Sequence, residues 1–317
     1  KTFGERVNMG KRILLATSVA IFFFLLFWFN SNSVAPSAYT LPTSEKSREN
    51  GKYLVSAGGC VSCHGKASDT SDEVDINSLA GGLQLVTNFG DFYVPNITPD
   101  KETGIGLWTA SNFIGALKHG IQPSGAKYYP TFPYRAYAGL SDQDVLDIGA
   151  YLMSLTPEKN IVPQHELPLW LTRFSANIWN QFADITQRPR ELSPYNKNEA
   201  YVRGAYLARN LGHCGECHTP RNLLGIPKLS EEFSGATLGE EVIEPIDADA
   251  LTEWSENDFD LFLLLGMKPN AEFVGGDMSD VIEHNTSRLT DSDRAALASF
   301  FITYQRDKLN SEKISRL

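Results

Sequence analysis

The sequence predicts a mainly α-helical protein, in which one apolar N-terminal transmembrane helix is followed by two tandem helical domains. Three observations predict this fold class: an apolar run near the N-terminus, two copies of one cysteine motif, and helix-forming segments that recur at a nearly constant offset. A length of 317 residues suggests about two domains. The chain is 42% hydrophobic, which is typical of a folded globular protein.

The N-terminal element is the apolar run ILLATSVAIFFFLLFWF, residues 13–29, which contains 17 uncharged residues. At ~1.5 Å per residue a helix of this length spans about 25 Å, enough for a thin bilayer core. Basic residues precede it and no charge follows until Glu45, so the positive-inside rule makes residues 1–12 a cytoplasmic tail. A linker over 30–48 then begins the part of the chain on the other side of the membrane. The alternative interpretation is a cleaved signal peptide.

Every cysteine of the chain lies in one of two Cys-x-x-Cys-His motifs, CVSCH at 60–64 and CGECH at 214–218. A histidine directly after the second cysteine indicates covalent c-type haem, because the two thiols add to the porphyrin vinyl groups and the imidazole reaches the iron. The alternatives are a shared four-cysteine zinc site or two redox disulfides. The sequence therefore predicts two covalently bound haem c (iron) groups. The predicted attachment residues are Cys60, Cys63, Cys214 and Cys217, and the predicted metal ligands are His64 and His218.

Each motif is expected to have its own domain, because Cys60 and Cys214 are 154 positions apart. Both motifs are preceded by a Gly-x-Tyr-Leu sequence, in GKYLVSAGGC and GAYLARNLGHC, where the glycine would permit close helix crossing. The predicted domains cover residues 49–157 and 196–317, with an interdomain linker over 158–195.

An internal repeat predicts equivalent helices in the two domains. WTASNFIGALKHGIQP begins at Trp108 and WSENDFDLFLLLGMKP at Trp254, and their Trp, Phe, Gly and Pro positions coincide at an offset of 146. Each middle helix is expected to end at the shared glycine. The segments at 140–155 and 289–304 correspond in a similar way and predict closing helices. The predicted N-caps of these four helices are Thr109, Ser255, Ser141 and Thr290.

Met278 lies in the Gly- and Asp-rich segment GGDMSDV (275–281), between the middle and closing helices of the second domain. Its thioether is predicted to bind the second haem iron opposite His218, and such a ligand raises the reduction potential. The alternative for this methionine is ordinary packing.

The first haem lacks the corresponding ligand. The offset of 146 maps Met278 onto Phe132, and no methionine occurs between residues 10 and 152. Its sixth ligand is therefore left open between three possibilities. These are His119 in the middle helix, Met153 in the closing helix, and a position that is empty, water-filled or occupied by another donor.

The chain resembles the membrane-anchored multihaem cytochrome c subunits of bacterial alcohol, gluconate and related periplasmic dehydrogenases over nearly all of residues 50–305. The segments that carry the resemblance are FGDFYVPNITPDKETGIGLWT, YYPTFPYRAYAGLSDQDV, RGAYLARNLGHCGECHTPRNLLG and GGDMSDV. The resemblance implies tandem class I-type cytochrome c domains, and it places the motif cysteines, the motif histidines and Met278 at the haem sites. Many relatives carry three haems where this chain has two, and some have methionine in the segment that contains Phe132.

The predicted function is that of a membrane-tethered dihaem c-type cytochrome. It would transfer electrons between a periplasmic dehydrogenase, or another donor, and the respiratory chain through quinone, a cytochrome complex or a terminal oxidase. The predicted location is the bacterial inner (cytoplasmic) membrane, with a single membrane pass and haem domains facing the periplasm. The alternative is a dihaem cytochrome c peroxidase that uses the first haem as an open site. No catalytic residue is predicted, and the chain is interpreted as an electron-transfer subunit.

The charge pattern argues against nucleic acid as a partner. The net charge is −10, whereas phosphate binding needs a positive surface. Residues 231–260 contain eleven acidic residues and no basic one. This stretch is either a solvated surface or a docking face for a basic redox protein, such as a dehydrogenase, an oxidase or a soluble cytochrome. The membrane is the other expected partner, through the N-terminal helix.

Further features carry simpler interpretations. LPLWLTRFSANIWNQF (167–182) has the periodicity of an amphipathic helix, which either packs between the two domains or docks onto a membrane partner. Arg221 is either a partner of a haem propionate or an ordinary surface arginine. His165 and His284 are expected to have satisfied structural roles.

Overall fold

The computed structural model describes residues 39–67, 74–75, 77–186, 198–239 and 241–304, together with residues 15, 17–19 and 21. The chain separates into two units, residues 1–35 and residues 36–317. The described positions of the first unit are helical. The second unit contains both cysteine motifs and every element named below.

The predicted transmembrane helix over residues 13–29 is corrected by the structure. No helix formed by the described residues is both long and apolar enough to cross a membrane, since a span needs ~20 consecutive apolar residues. The membrane-spanning part of the predicted fold class is therefore wrong, and so is the predicted single-pass location in the inner membrane. The predicted tail 1–12 and most of residues 13–38 lie outside the described residues.

The N-terminal half, residues 39–157, consists of helices joined by two short antiparallel hairpins. Its helices are α1 (Glu45–Ala57), α2 (Cys60–His64), α3 (Ala110–His119), α4 (Tyr134–Tyr137) and α5 (Asp142–Leu152). Its hairpins pair β1 (Lys66–Ala67) with β2 (Val74–Asp75) and β3 (Gln84–Thr87) with β4 (Gly90–Tyr93). The core of this half lies between the helices and includes the fully buried Leu54, Phe113 and Val145.

After the connecting helix α6 (Arg173–Thr186), the C-terminal half, residues 198–304, repeats this plan. Its helices are α7 (Glu199–Tyr206), α8 (Gly215–His218), α9 (Glu256–Leu265), α10 (Asp277–His284) and α11 (Asp291–Ala298). π-Helical segments follow α7 (Leu207–Leu211) and α11 (Ser299–Tyr304), 3-10 turns lie at Leu229–Glu231 and Thr286–Arg288, and β5 (Ala236–Leu238) pairs with β6 (Glu241–Ile243). Its core contains Tyr201, Phe233, Phe300 and Phe301, all buried.

The first and closing helices of each half cross at a glycine, as the sequence predicts. A Cβ on Gly51 of α1 would lie 1.9 Å from the carbonyl oxygen of Asp147 in α5. A Cβ on Gly204 of α7 would lie at the same distance from the carbonyl oxygen of Ala296 in α11. Only a residue without a side chain permits this approach. The crossing fixes α1 and α7, and the chain enters the cysteine motifs directly after these helices.

The middle helices α3 and α9 begin and end where the internal repeat predicts. Thr109 caps α3 and Ser255 caps α9, and each forms a capping box with the third residue of its helix. Both helices end at a glycine in the left-handed conformation, with φ of 61° at Gly120 and 74° at Gly266. The predicted N-caps of the closing helices are also confirmed.

The C-terminal half has one residue more than the N-terminal half between the crossing glycine and the first motif cysteine, and a π-helix absorbs it. Gly212 N donates to Leu207 O, five residues back, at 2.8 Å, whereas Gly58 N donates to Leu54 O, four residues back, at 2.8 Å. A wider turn accommodates an inserted residue without breaking the helix. The second motif therefore keeps its place relative to α7.

Helix α6 contacts both halves, so the interpretation of 167–182 as a helix packed between them is confirmed. Tyr134 Oη of the N-terminal half donates to Asn180 Oδ1 at 3.0 Å. The indole Nε1 of Trp179 donates to Leu224 O of the C-terminal half at 2.5 Å. The helix begins at Arg173, so residues 167–172 of the predicted segment are not helical, and among them Trp170 is 60% exposed.

Candidate functional site

The first cysteine motif forms the one-and-a-half-turn helix α2. Gly59 precedes it in the left-handed conformation, with φ of 66°, and allows a sharp entry from α1. Both thiols are free, and Cys63 is exposed while Cys60 is half-buried. Burial raises the pKa of Cys60 to about 12. One short helix therefore carries two thiols that are not paired in a disulfide.

The second motif has the same form. Cys214 directly precedes α8, and its partner Cys217 lies on that helix and is exposed. His213 occupies the position of Gly59 and also has a positive φ, of 39°, which is uncommon for a residue with a side chain. Burial raises the pKa of Cys214 to about 12. Neither motif contains a disulfide, and the described residues contain no group of three or more metal-binding side chains, so the zinc and disulfide alternatives are not found.

The two motif histidines make the same hydrogen bond. His64 Nδ1 lies 2.8 Å from Pro95 O, and His218 Nδ1 lies 2.7 Å from Glu244 O. A carbonyl oxygen only accepts, so Nδ1 carries the proton and the lone pair is on Nε2, the arrangement found in histidines that bind a metal. Burial lowers the pKa of both histidines, which favours the neutral form.

Sequence reasoning missed the backbone that holds these histidines. Gly81 N donates to the carbonyl of the first motif histidine and Gly235 N to that of the second, both at 2.9 Å. Their φ angles are 71° and 83°. The hairpins β3–β4 and β5–β6 then return the chain so that Pro95 and Glu244 face the imidazoles. The signal was present, because each glycine follows its histidine by 17 positions.

A cavity of 1670 Å³ adjoins the second motif. It exceeds the ~300–1,000 Å³ of common small-molecule pockets. Cys214, Cys217, His218 and Met278 all line it, together with apolar side chains of α9 and α11 such as Phe259 and Leu297. The structure thus brings Met278, which is 60 positions from the motif histidine in sequence, into the same cavity as the motif.

The equivalent position of the N-terminal half is occupied by an aromatic cluster. Phe132 packs edge-on against Tyr128, with ring centroids 5.2 Å apart, and lies 5.7 Å from Tyr137. His119 is exposed, and its backbone carbonyl accepts a hydrogen bond from a lysine. Met153 is the C-terminal cap of α5. At the position that the offset of 146 assigns to Met278, the N-terminal half therefore has an aromatic ring packed among other aromatic rings.

Arg221 braces the second motif. Its guanidinium donates to Glu216 Oε2 at 2.6 Å and to the carbonyl oxygens of Glu216 and Gly225 at 3.0 Å each. Glu216 lies between the two motif cysteines, so this charge-assisted pair holds the short helix α8 in place. Arg221 therefore lies in the wall of the cavity beside the second motif and is paired with Glu216.

His165 and His284 were both expected to have satisfied structural roles, and the structure confirms this for His165 only. His165 Nδ1 accepts a hydrogen bond from Tyr93 N at 3.1 Å, and its ring packs 5.3 Å from that of Phe92, so its structural role is confirmed. The buried Nδ1 of His284 has no hydrogen-bond partner among the residues that the structure describes. The predicted satisfied role is therefore not found for that histidine.

Both motifs fit a haem c group on these observations: each offers two free thiols and one imidazole with Nε2 unprotonated. A cytochrome c family model matches residues 48–156. A protein of Cereibacter sphaeroides named as a diheme cytochrome c-type protein is 40% identical over 267 residues, which are 84% of this chain and 88% of that protein. The chain belongs to the dihaem cytochrome c family. It carries two covalently bound haem c groups and transfers electrons.

Other relatives of this dihaem cytochrome are subunits of larger enzymes. The fructose dehydrogenase cytochrome subunit of Gluconobacter japonicus is 36% identical over 79% of this chain and 51% of that subunit. The gluconate 2-dehydrogenase cytochrome c subunit of Pantoea cypripedii is 34% identical over 79% of this chain and 58% of that subunit. The dihaem cytochrome therefore spans about half the length of these dehydrogenase subunits.

Proposed function

We propose that this dihaem cytochrome c is the electron-transfer subunit of a dehydrogenase and passes electrons to the respiratory chain, through quinone, a cytochrome complex or a terminal oxidase. The observation that carries the proposal is the pair of equivalent motifs within one compact unit, each with its histidine held in the metal-binding tautomer. The cytochrome subunits of fructose, gluconate and alcohol dehydrogenases among its relatives support the same conclusion.

The proposed roles follow the two motifs. Haem c, when bound, supplies one-electron chemistry, while the protein supplies attachment, axial ligands and surroundings. We assign attachment to the motif cysteines, proximal ligation to the motif histidines and distal ligation at the second haem to Met278. The division into two cytochrome c domains over residues 49–157 and 196–317 belongs to the same proposal.

The attachment residues can be tested by mass. We expect the proteolytic peptides that contain residues 60–64 and 214–218 each to carry one covalently bound haem after denaturation. Replacing Cys214 and Cys217 together with alanine should remove the haem mass from the second peptide only, because the thioether bonds form at those sulfurs. A protein that loses both haems into acidified organic solvent would contradict the assignment.

Three acidic residues, called the acidic rim below, lie in the wall of the cavity beside the second motif. Glu241, Glu244 and Asp277 line it. Glu241 lies close to Asp277, whose negative charge raises the pKa of Glu241. More acidic side chains of the 231–260 stretch are exposed nearby in sequence, including Glu253. We propose that this rim is the docking face for a basic redox protein, whose approach it would accelerate.

The test is electron transfer from the reduced protein to a small basic cytochrome c in a stopped-flow instrument. Raising the ionic strength from about 0.01 to 0.15 M should lower the association rate about tenfold or more, because the Debye length falls from about 30 to 8 Å. Glu241→Gln should weaken this salt dependence, and Glu49→Gln, on the exposed face of α1, is the matched control. If the association rate did not change with ionic strength, the proposal of an acidic docking face would be wrong.

The alternative of a dihaem peroxidase has weaker support. Burial raises the pKa of Tyr128 to about 12 and that of Tyr137 well above its usual value, so neither phenol beside Phe132 is suited to proton transfer at neutral pH. Arg135 forms a salt bridge with Asp184, in which Nη2 lies 3.1 Å from Oδ1. Turnover of peroxide by the reduced protein, in place of transfer to the basic cytochrome, would favour this alternative.

A further inference from the structure

The two cysteine motifs lie side by side, although they are far apart in sequence. Helix α10 of the C-terminal half contacts α2 of the first motif. A Cβ on Gly59, immediately before the first motif, would lie 2.7 Å from Asn285 Nδ2. Cys63 of the first motif also lies near Cys217 of the second. The structure therefore contains a junction at which the two attachment sites face each other.

The centre of this junction is a contact between two rings. Tyr137, on α4 of the N-terminal half, is buried, and its ring lies 5.5 Å from the ring of His213 at an interplanar angle of 79°. This edge-to-face geometry is favourable for aromatic pairs. His213 directly precedes Cys214, so its ring lies beside the second motif. The pair thus joins the chain beside one motif to the chain beside the other.

Tyr137 faces both motifs. Its phenol lies near Cys60 and Cys63 of the first motif and near Glu216 of the second. Tyr137 follows Phe132 in the segment that corresponds to the methionine segment of the C-terminal half. A buried side chain between two attachment sites, which belongs to neither motif, is suited to setting the distance between them.

Two reciprocal hydrogen bonds frame the junction. Tyr53 Oη of α1 donates to Asp293 Oδ2 of α11, and Tyr206 Oη of α7 donates to Asp144 Oδ2 of α5. The two tyrosines hold the same place in the Gly-x-Tyr-Leu pattern, and the two aspartates hold the same place in the closing helices. Each half therefore binds the other through the same pair of residues, which is the property of an isologous, two-fold contact.

We infer that Tyr137 and His213 are positioning residues that fix the spacing of the two haem c groups. The two tyrosine–aspartate hydrogen bonds hold the halves together. The contact between the rings of Tyr137 and His213 sets the distance between the two motifs. This inference rests on the cofactor content and on the junction, and it is independent of which dehydrogenase or acceptor the protein serves.

The test is the distance between the two ferric irons, measured by pulsed EPR on the intact protein with both haems attached. We expect one narrow distance distribution for the unmodified protein. Tyr137→Leu should broaden it and shift it, because the ring that separates the motifs is lost. His213→Asn should do the same, since asparagine tolerates the left-handed backbone while removing the imidazole. Mass spectrometry confirms that both variants keep both haems.

Tyr134→Leu is the matched control. Tyr134 is a buried tyrosine on the same helix, but its hydroxyl donates to Asn180 of α6 instead of facing the motifs. We expect this variant to lose thermal stability while keeping the narrow iron–iron distribution. The positioning role would be overturned if both junction variants kept the iron–iron distance distribution of the parent protein. It would also be overturned if Tyr134→Leu broadened that distribution as much as they do.

Discussion

Met278→Leu is expected to lower the reduction potential of the second haem and leave that of the first unchanged. Leucine matches methionine in volume, so the substitution should cost less than ~1.5 kcal/mol of folding free energy. It removes the thioether that lies in one cavity with His218 and the second pair of cysteines. The fall should be a sizeable part of the ~0.8 V range over which axial ligands set haem potentials. A redox titration followed by optical and EPR spectroscopy measures it.

The matched control is Met267→Leu. Met267 lies in the same half, immediately after the glycine that ends α9, and pairs through its backbone with Phe273. Its sulfur has no role in the proposal, so both potentials should stay unchanged. Equal spectra and potentials in Met278→Leu and the unmodified protein would exclude Met278 as a ligand. If the unmodified protein shows two identical His/Met centres, the distinction drawn from Phe132 is wrong.

Gly204→Ala is expected to destabilise the C-terminal half strongly. The added Cβ would lie 1.9 Å from the carbonyl oxygen of Ala296 and 2.7 Å from the Cβ of Phe300, so α7 and α11 would have to separate. Overpacking a core costs ~1–3 kcal/mol and occasionally more. We expect the upper end here, because the obstruction is backbone and cannot move as a flexible side chain can. Thermal unfolding followed by circular dichroism measures the loss.

Gly275→Ala provides the control for this substitution. A Cβ on Gly275 has no heavy atom within 4 Å, so the melting temperature should change little. Gly51→Ala, at the equivalent crossing of α1 with α5, should behave like the Gly204 variant. If Gly204→Ala and Gly275→Ala unfolded at the same temperature, the close helix crossing would not have the energetic importance that we assign to it.

Features that depend on neighbours in sequence were predictable. The caps at Thr109 and Ser255 and the helix ends at Gly120 and Gly266 were all read from the chain, because capping hydrogen bonds and left-handed glycines act within one turn. The Cys-x-x-Cys-His spacing is equally local, since one short helix carries both thiols and the imidazole. The repeat then allowed Met278 to be placed without any knowledge of packing.

The N-terminal segment shows the opposite case. The apolar run at 13–29 predicted a membrane-spanning helix from composition alone, and the described residues contain no helix that could cross a membrane.

The chain by itself determined which residues can hold the haems, where the main helices begin and end, and that the two halves are copies. Only the tertiary structure decided that Pro95 and Glu244 orient the two imidazoles, and that Tyr137 meets His213 between the motifs. The first set depends on bonds and turns within a few residues. The second depends on how the connecting hairpins and helix crossings bring distant segments together, and no local pattern specifies those paths.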